Sequence, residues 1–347
     1  MTIPSRSELP DVPGTNAKEN VRETWKKVLF IFNPVSGKSQ IRTDLVDILE
    51  ILSAKDYVIT CYPTRCRGDA RELVRSRKED YVYVICAGGD GTLDEVVSGM
   101  MENPDKPFVP IGYIPSGTTN DFANSLGIPS DMKEAAKVIA GGRTFLCDLG
   151  RFNNNDYFTY VAAFGIFTET SYQTPQDLKN TLGHMAYVLQ GVMDLGNIRT
   201  YHFRVESAEF SASEDFVFGM ITNSKTVGGF PDITGSEVDM SDGLFEVTLI
   251  KMPQNILELN DIVQYLSGMA QTSDLVFRFK TSHLVLESDE PVRWTRDGEF
   301  AGAFKRVELT NLNKKLKIIV SAEKARQLAA PVESKKRIPG QRQAAGG

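Results

Sequence analysis

The feature that most constrains the fold is a strand-like run that leads through glycines into a helix. The run Tyr81–Cys86 is β-branched and aromatic, as expected of a strand buried on both faces of a parallel sheet. The loop Ala87–Thr92 follows and places Asp90 among three glycines, and apolar residues at helical spacing continue from Leu93. A strand, a glycine loop and a helix in this order are typical of one unit of a parallel α/β sheet.

This loop has the chemistry of a phosphate site. Glycines let a ligand approach the backbone, and the exposed N–H groups of a helix start attract anions. Thr92 and Glu95 have capping-box spacing, which predicts that the helix begins beside the glycines. Asp90 would repel a phosphate unless a cation such as Mg²⁺ lay between them, so the loop indicates a nucleotide-phosphate site with a metal. The alternative is that Asp90 only caps its helix.

Two familiar phosphate-binding motifs, the dinucleotide fingerprint and the Walker loop, do not match this sequence. A dinucleotide fingerprint would need a third glycine where Asp94 stands. A Walker loop would need glycine at Phe32 to go with Gly37-Lys38-Ser39. Both motifs are therefore excluded.

Composition bounds the class of protein. The chain has 347 residues, 41% hydrophobic and 24% charged, which is enough for two globular domains with separate cores. The net charge of −6 argues against nucleic acid as a partner. The four cysteines show no metal-ligand spacing, and we find neither a membrane-spanning run nor a signal peptide. We therefore expect a cytoplasmic protein that is at most peripheral to a membrane.

The pattern of elements changes near residue 148. Before it, strand patterns at 28–32, 57–62, 81–86 and 108–114 alternate with helical patterns at 41–52, 68–78, 93–101 and 119–126. After it come short strand-like runs at 157–163, 201–206, 216–222, 245–250, 275–279, 283–286 and 316–320, with helical segments near 182–195 and 256–269. The predicted fold is α/β plus all-β, a doubly wound parallel-sheet nucleotide domain followed by a mostly antiparallel β-sandwich. The predicted units are a flexible arm at 1–25, a nucleotide-binding domain at 26–147, a β-rich domain at 148–325 and a flexible tail at 326–347.

Ligands of such sheets bind at the carboxyl ends of the strands, so the loops that form one site should have similar chemistry. The loops after the four predicted parallel strands do. Each loop carries small residues, hydroxyls or both. The candidate nucleotide-binding residues in them are Asn33, Ser36, Gly37, Thr64, Gly88, Gly89, Gly91, Thr92 and Thr118. One such loop is weak support, whereas four in succession favour a shared nucleotide site.

Two acidic turns stand out in the second half. Asp239, Asp242 and the carbonyl of Leu244 offer oxygen ligands to a hard cation, although spacing alone favours a surface turn. Asp297-Gly298 is typical of a hairpin, and Glu299 after it is a candidate general base for an attacking hydroxyl.

Taken together, these segments resemble the diacylglycerol kinase catalytic family, specifically its soluble bacterial lipid kinases, over roughly residues 26 to 322. The resemblance rests on Asn33-Pro34 with Ser36-Gly37-Lys38, Gly88-Gly89-Asp90-Gly91-Thr92, Gly117-Thr118 with Asn120-Asp121-Phe122-Ala123, Leu182-Gly183 with Ala186-Tyr187, and Asp297-Gly298-Glu299. It implies transfer of the γ-phosphoryl group of ATP to a lipid hydroxyl. Diacylglycerol, giving phosphatidic acid, is the favoured acceptor, and another glycerolipid, a sphingoid base or a polyprenol stays open.

The resemblance also implies roles for single residues. Asp90 acts through Mg²⁺ and its waters, and Glu299 accepts the proton of the alcohol. Asp239, Asp242 and Leu244 match a second, structural Mg²⁺ site of the soluble bacterial members. The implied partners are ATP, a lipid alcohol and a transient membrane surface, and a homodimer is left open.

Two alternative functions remain open at this point. NAD kinase shares the glycine-aspartate motif, although Asn120–Ala123 and Asp297–Glu299 favour the lipid kinase. A catalytically silent nucleotide- or lipid-binding regulator is the second alternative, and the presence of both Asp90 and Glu299 argues against it.

Overall fold

The computed structural model describes residues 26–54, 57–117, 120–166, 199–227, 230–231, 238–266 and 269–329. The predicted arm at 1–25, the predicted helix near 182–195 and the end of the predicted tail lie outside these residues. None of the described helices is long and apolar enough to cross a membrane.

The first part of the chain forms a parallel sheet with the strand order β2-β1-β3-β4. Its strands are β1 (Lys26–Phe32), β2 (Tyr57–Pro63), β3 (Tyr83–Gly88) and β4 (Ile111–Pro115). Its helices are α1 (Ile41–Ser53), α2 (Asp69–Ser76), α3 (Asp90–Glu102), α4 (Asp121–Ser125) and α5 (Met132–Gly141). The predicted alternation of strand and helix is confirmed, and β2 alternates between half-buried and exposed residues because it lies at the edge of the sheet.

The sequence patterns did not predict helix α5, which has a clear local start signal. Asp131 caps it by accepting hydrogen bonds from the backbone N–H groups of Lys133 and Glu134 at 3.0 and 2.9 Å. Met132, Ala135 and other apolar residues of its inner face are buried.

The second part forms a large antiparallel sheet that continues from the parallel one. The second part of the chain contains β5 (Arg143–Phe152), β6 (Asp156–Phe158), β7 (Val161–Gly165), β8 (Tyr201–Glu206), β9 (Ser211–Thr222), β10 (Thr226–Val227), β11 (Phe230–Pro231), β12 (Phe245–Lys251), α6 (Ile256–Leu266), β13 (Val276–Thr281), β14 (His283–Arg296), β15 (Glu299–Val320) and α7 (Ala322–Ala329). Strands β10 and β11 pair with each other outside the large sheet. Along the main path the order is β13-β12-β9-β7-β14-β15, and the described residues confirm a mixed α/β chain with an antiparallel second part.

Strands β7 and β8 lie end to end between β9 and β14. Val161 pairs with Thr222 and Tyr201 with Phe216, so both strands use successive parts of β9. On their other side, β7 pairs with β14 at residues 294–296 and β8 pairs with it at residues 285–287. Residues 166–200 therefore connect two collinear strands.

Strand β15 joins the two parts of the chain. Its first half pairs with β14, and its second half pairs with β5 and meets β4 through the parallel pair Ile318 and Ile111. The predicted boundary between residues 147 and 148 lies within β5, and one 13-stranded sheet runs through both parts. Helix α7 enters the range predicted as a flexible tail, at residues 326–329, because Ala325 and Leu328 pack against the core.

The antiparallel part has an aromatic core of its own. Trp294 is fully buried, and its ring lies 5.7 Å from that of Phe152 and 4.9 Å from that of Phe164. Phe158 stacks on Phe245 at 5.4 Å. A second cluster packs around the parallel sheet and extends into the antiparallel part, where it includes Val217 and Ile250. The two clusters of the described residues therefore do not divide at the predicted domain boundary.

Candidate active site

The loops at the carboxyl ends of the parallel strands meet at one edge of the sheet. The backbone N–H of Asn33 donates to Ala87 at 2.9 Å, and that of Ser116 donates to Gly88 at 2.9 Å. The backbone N–H of Thr64 donates to Phe32 at 2.9 Å. Backbone hydrogen bonds thus extend the ladder into the loops, and the structure brings together the loops after β1, β2, β3 and β4, with the candidate residues of the first three. Thr118 lies outside the described residues.

Close approach of backbones explains two of the glycines. Gly37 has a φ of +53°, and a Cβ there would overlap the carbonyl oxygen of Ser116. A Cβ at Gly117 would lie 3.0 Å from the Cα of Gly89. Ser36 adds a hydroxyl contact to Ser116. The loops after β1, β3 and β4 therefore pack directly on one another.

The start of helix α3 lies at the centre of these loops, and its predicted capping box is wrong. Gly89 occupies the capping position with extended backbone and provides no side chain to the helix start. Glu95 instead accepts hydrogen bonds from the backbone N–H groups of Gly68 and Ala70, at 2.6 and 3.2 Å, where helix α2 begins. Glu95 thereby fixes the loop after β2 to α3, and the N-terminal turn of α3 is free of a side-chain cap.

Asp90 begins α3 in an environment that disfavours its charge. Burial, together with the nearby carboxylates of Asp297 and Asp121, raises the pKa of Asp90 to about 7. The hydroxyl of Tyr113 lies 3.4 Å from its Oδ1 and acts in the opposite direction. Burial also raises the pKa of Asp94, one turn further along α3. A cation bound here would restore the ionised form of Asp90.

Glu299 approaches the same helix start from the antiparallel sheet. A Cβ added at Gly91 would lie 3.9 Å from the Oε1 of Glu299, and the Nη2 of Arg67 lies 3.2 Å from its Oε2. The Glu299 side chain is 56% exposed, so it is accessible to a substrate. The structure therefore brings Asp90 and Glu299, which are far apart in sequence, to the same helix start.

Asp297 holds the hairpin tip that carries Glu299. Its buried carboxylate accepts hydrogen bonds from the backbone N–H groups of Thr159, Tyr160 and Val161 at 2.6, 3.0 and 3.0 Å, and from the Thr159 hydroxyl at 2.8 Å. These bonds also explain why the predicted strand at 157–163 is divided into β6 and β7. Asp297 has a φ of 47° and Gly298 a φ of 80°, as in a tight two-residue hairpin turn.

Asp121 and Asp297 belong to the electrostatics of this site but were not among the predicted site residues. Both lie within the quoted motifs, next to Asn120 and Glu299. The signal that would have identified them is a carboxylate at a position that the fold buries, and burial is not readable from a turn sequence.

The predicted second metal site lies on a turn whose carboxylates already have partners. The Oδ1 of Asp239 accepts from the backbone and hydroxyl of Ser241 at 3.0 and 2.9 Å. Asp242 accepts from the backbone N–H of Leu244 at 2.9 Å and lies 3.4 Å from the ammonium group of Lys280. Across the described ranges, no group of three or more His, Cys, Asp or Glu side chains is arranged to hold a metal ion. The metal role of Asp239, Asp242 and Leu244 stays a prediction.

A buried carboxylate beneath this turn fixes its backbone. Asp148 accepts hydrogen bonds from the backbone N–H groups of Gly243 and Lys314 at 2.6 and 2.7 Å, and from the side chain of Asn313 at 2.9 Å. Burial raises the pKa of Asp148, whereas the hydrogen bonds from the backbone of Lys314 and Gly243 lower it. The turn is therefore held to β15 by protein groups.

Comparison with known proteins supports this architecture over most of the chain. Residues 27–152 match the family model "Diacylglycerol kinase catalytic domain", and residues 164–320 match "YegS C-terminal NAD kinase beta sandwich-like domain". The diacylglycerol kinase of Bacillus subtilis (strain 168) is 30% identical over 305 residues, which cover 87% of this chain and 99% of the relative. That of Staphylococcus aureus (strain MRSA252) is 35% identical over 281 residues, 80% of this chain and 87% of the relative.

Solved structures agree with these matches. The crystal structure of a candidate diacylglycerol kinase from Bacillus anthracis str. Sterne superposes with a TM-score of 0.70 at 26% identity, over 86% of this chain and 96% of the other. Fold and family matches thus define a kinase with an α/β first part and a largely antiparallel second part. With relatives of this identity over most of its length, the chain belongs to the diacylglycerol kinase family.

Proposed function

We propose that this protein transfers the γ-phosphoryl group of ATP to a lipid hydroxyl, with diacylglycerol as the acceptor and phosphatidic acid as the product. The observation that carries the proposal is the approach of Glu299 to the N-terminal turn of α3, beside Asp90. One group suited to a metal and one suited to a proton thus lie at a single anion-attracting helix start. The names of the relatives favour the same reaction.

ATP would lie across the loops after the parallel strands. Its phosphates would approach the backbone at residues 88–92, where glycines leave room and α3 has no side-chain cap. The remaining nucleotide contacts would come from Asn33, Ser36, Gly37, Thr64 and Thr118. The convergence of the described loops supports this assignment.

The residues at the start of α3 fit a divalent cation such as Mg²⁺. Carboxylate oxygen is the ligand that such a hard cation prefers. Burial near Asp121 and Asp297 disfavours the ionised form of Asp90, and a bound cation would offset that effect. When bound, the metal would neutralise charge that develops on the transferred phosphoryl group. The turn at residues 239–244 fits a second metal less well, because Asp239 and Asp242 are engaged by their own turns and by Lys280.

Glu299 would supply the proton acceptor. The alcohol oxygen bonds to the γ-phosphorus, the bond from that phosphorus to the β–γ bridging oxygen breaks, and ADP leaves. The alcohol proton passes to the carboxylate of Glu299, which is exposed and held in place by the anchored turn at Asp297. Little other covalent help is needed from the protein.

A lipid acceptor implies that the enzyme acts at a membrane surface from the cytoplasmic side. The β-rich part would form the lipid site. The four free cysteines are consistent with a reducing compartment.

We also infer a doubly wound first part. Helices α1 and α5 pack together and α2 and α3 pack together, as expected of one pair on each face of the parallel sheet. A homodimer remains part of the proposal.

A transfer assay tests the proposal against its alternatives. The purified protein is incubated with γ-labelled ATP and Mg²⁺ together with diacylglycerol in mixed micelles, with NAD, or with total lipid extract. Labelled phosphatidic acid is expected. Labelled NADP would instead identify an NAD kinase, and absence of any labelled product would indicate a silent binding protein.

A further inference from the structure

One arginine near the proposed active site has the proposed base as its partner. The loop between β2 and α2 and the first turn of α2 carry Arg65, Arg67 and Arg71. Arg65 pairs with Asp69 at 2.7 Å, and Arg71 pairs with Glu102. The Nη2 of Arg67 lies 3.2 Å from the Oε2 of Glu299. Arg67 thus reaches across from the parallel part of the chain to the hairpin tip that carries Glu299.

Hydrogen bonds fix the backbone around Arg67, while its side chain is mostly exposed. Glu95 of α3 accepts from the backbone N–H groups of Gly68 and Ala70. Asp69 accepts from the backbone N–H of Arg65 at 2.8 Å, and the Arg65 guanidinium lowers the pKa of Asp69 to about 2. The Arg67 side chain, in contrast, is 78% exposed. A rigid loop therefore presents a long cationic side chain at the start of α3.

The ion pair between Arg67 and Glu299 is weak enough for a phosphate group to replace Glu299 as the partner of Arg67. Both side chains are more than half exposed, and ion pairs of this type contribute little because water and salt screen them. A phosphate group is a stronger partner for a guanidinium, since it offers more negative charge and a two-pronged hydrogen-bond geometry. The proposed phosphate position at the start of α3 is the same place that Glu299 approaches.

We propose that Arg67 exchanges partners when ATP binds, leaving Glu299 and contacting the γ-phosphate. This inference rests on the proposed function. Without nucleotide, Arg67 holds the carboxylate of Glu299 away from an acceptor alcohol. With ATP bound, Glu299 is released to take the alcohol proton, and the positive charge of Arg67 moves to the phosphoryl group that is transferred. Base availability is thereby coupled to the presence of the phosphoryl donor.

A double-mutant cycle on ATP affinity tests the exchange. Binding of a fluorescent ATP analogue with Mg²⁺ is measured for wild type, R67Q, E299Q and R67Q/E299Q. The control is R75Q, because Arg75 is a neighbouring exposed arginine that pairs with Glu72 on α2. We expect R67Q to weaken binding about tenfold and R75Q to leave it unchanged. We expect E299Q to tighten binding only where Arg67 is present, since only then is a competing partner removed.

Two outcomes would overturn the exchange. One is that R67Q binds the analogue as tightly as R75Q does. The other is that E299Q tightens binding by the same factor with and without Arg67, which would mean simple repulsion between Glu299 and phosphate. R67K is expected to recover part of the affinity, because it restores the charge without the two-pronged geometry. Thermal melting of each variant verifies that the exposed substitutions leave the fold intact.

The same proteins separate this inference from the proposed function. Transfer to diacylglycerol is assayed in parallel with wild type. If wild type binds the analogue but phosphorylates no lipid, the proposed function fails and the binding cycle still decides the role of Arg67. If wild type does not bind the analogue, both are rejected.

Discussion

Replacement of Asp90 by asparagine should stabilise the metal-free protein while it removes activity. Burial raises the pKa of Asp90 from 3.8 to about 7, so folding opposes its ionised form. A carboxyl whose pKa is higher in the folded than in the unfolded chain destabilises the fold once the pH exceeds the unfolded value. That cost grows as the pH rises towards 7 and is constant above it. Asparagine has no charge to desolvate and escapes this cost.

The size of the effect follows from the shift in pKa. A rise of about 3 units corresponds to at most about 4 kcal/mol at pH 8, at about 1.4 kcal/mol per unit. At pH 5 the folded carboxyl is already protonated, and the cost is about 2 kcal/mol. The Asp90→Asn variant should therefore gain roughly 2 kcal/mol more stability at pH 8 than at pH 5.

Urea unfolding in EDTA, followed by circular dichroism at both pH values, measures this difference. Asp105→Asn is the matched control, because Asp105 is exposed and its substitution should leave stability unchanged at either pH. In Mg²⁺ and ATP the order should reverse, since only wild type retains the carboxylate that binds the metal. The reasoning would be refuted by a stability gain that does not depend on pH, or by a variant less stable than wild type at pH 8.

Two further substitutions test how the site is held. Asp297→Ala leaves the backbone N–H groups at residues 159–161 without their acceptor and should cost about 3 kcal/mol or more in urea unfolding, with lower turnover; an unchanged midpoint would mean that the hairpin tip is held by other groups. Glu95→Ala uncaps helix α2 at Gly68 and Ala70 and should cost about 1 kcal/mol with faster amide exchange there; protection equal to wild type would contradict the role of Glu95.

Local patterns were sufficient for the parallel part of the fold. The expected helix at 41–52 is observed as Ile41–Ser53, and the expected strand at 57–62 is observed as Tyr57–Pro63. Each of these elements has a strong period of its own, so it is identified without knowledge of the elements that it packs against. The convergence of their loops followed from the rule that parallel strands end at the same edge.

Local sequence patterns did not predict the full length of the long strands in the antiparallel part. Only 283–286 and 316–320 were expected within β14 and β15, which are 14 and 22 residues long. Register shifts interrupt the alternation in both, between Glu287 and Val292 and between Leu312 and Leu316. Besides their shared hairpin, β14 pairs with β7 and β8, and β15 pairs with β5; these partners are distant in sequence, and a single sequence does not identify them.

The site shows the same division between local and distant information. Asp90 and Glu299 were selected as candidate site residues because each lies in a short motif with a distinctive chemistry. The capping box was wrong because Glu95 has the right spacing to Thr92 but bonds to the start of α2, more than twenty residues earlier. The partner of Arg67 likewise depends on how the hairpin tip packs against α3, which no local pattern encodes.

The most direct test of the central claim compares ATP binding and phosphoryl transfer in Glu299→Gln. If Glu299 accepts the proton of a lipid alcohol beside a metal–phosphate site at α3, the variant binds ATP at least as tightly as wild type. Its transfer of labelled phosphate from ATP to diacylglycerol should fall about 100-fold or more. Transfer at the wild-type rate by a variant that binds ATP normally would contradict the account.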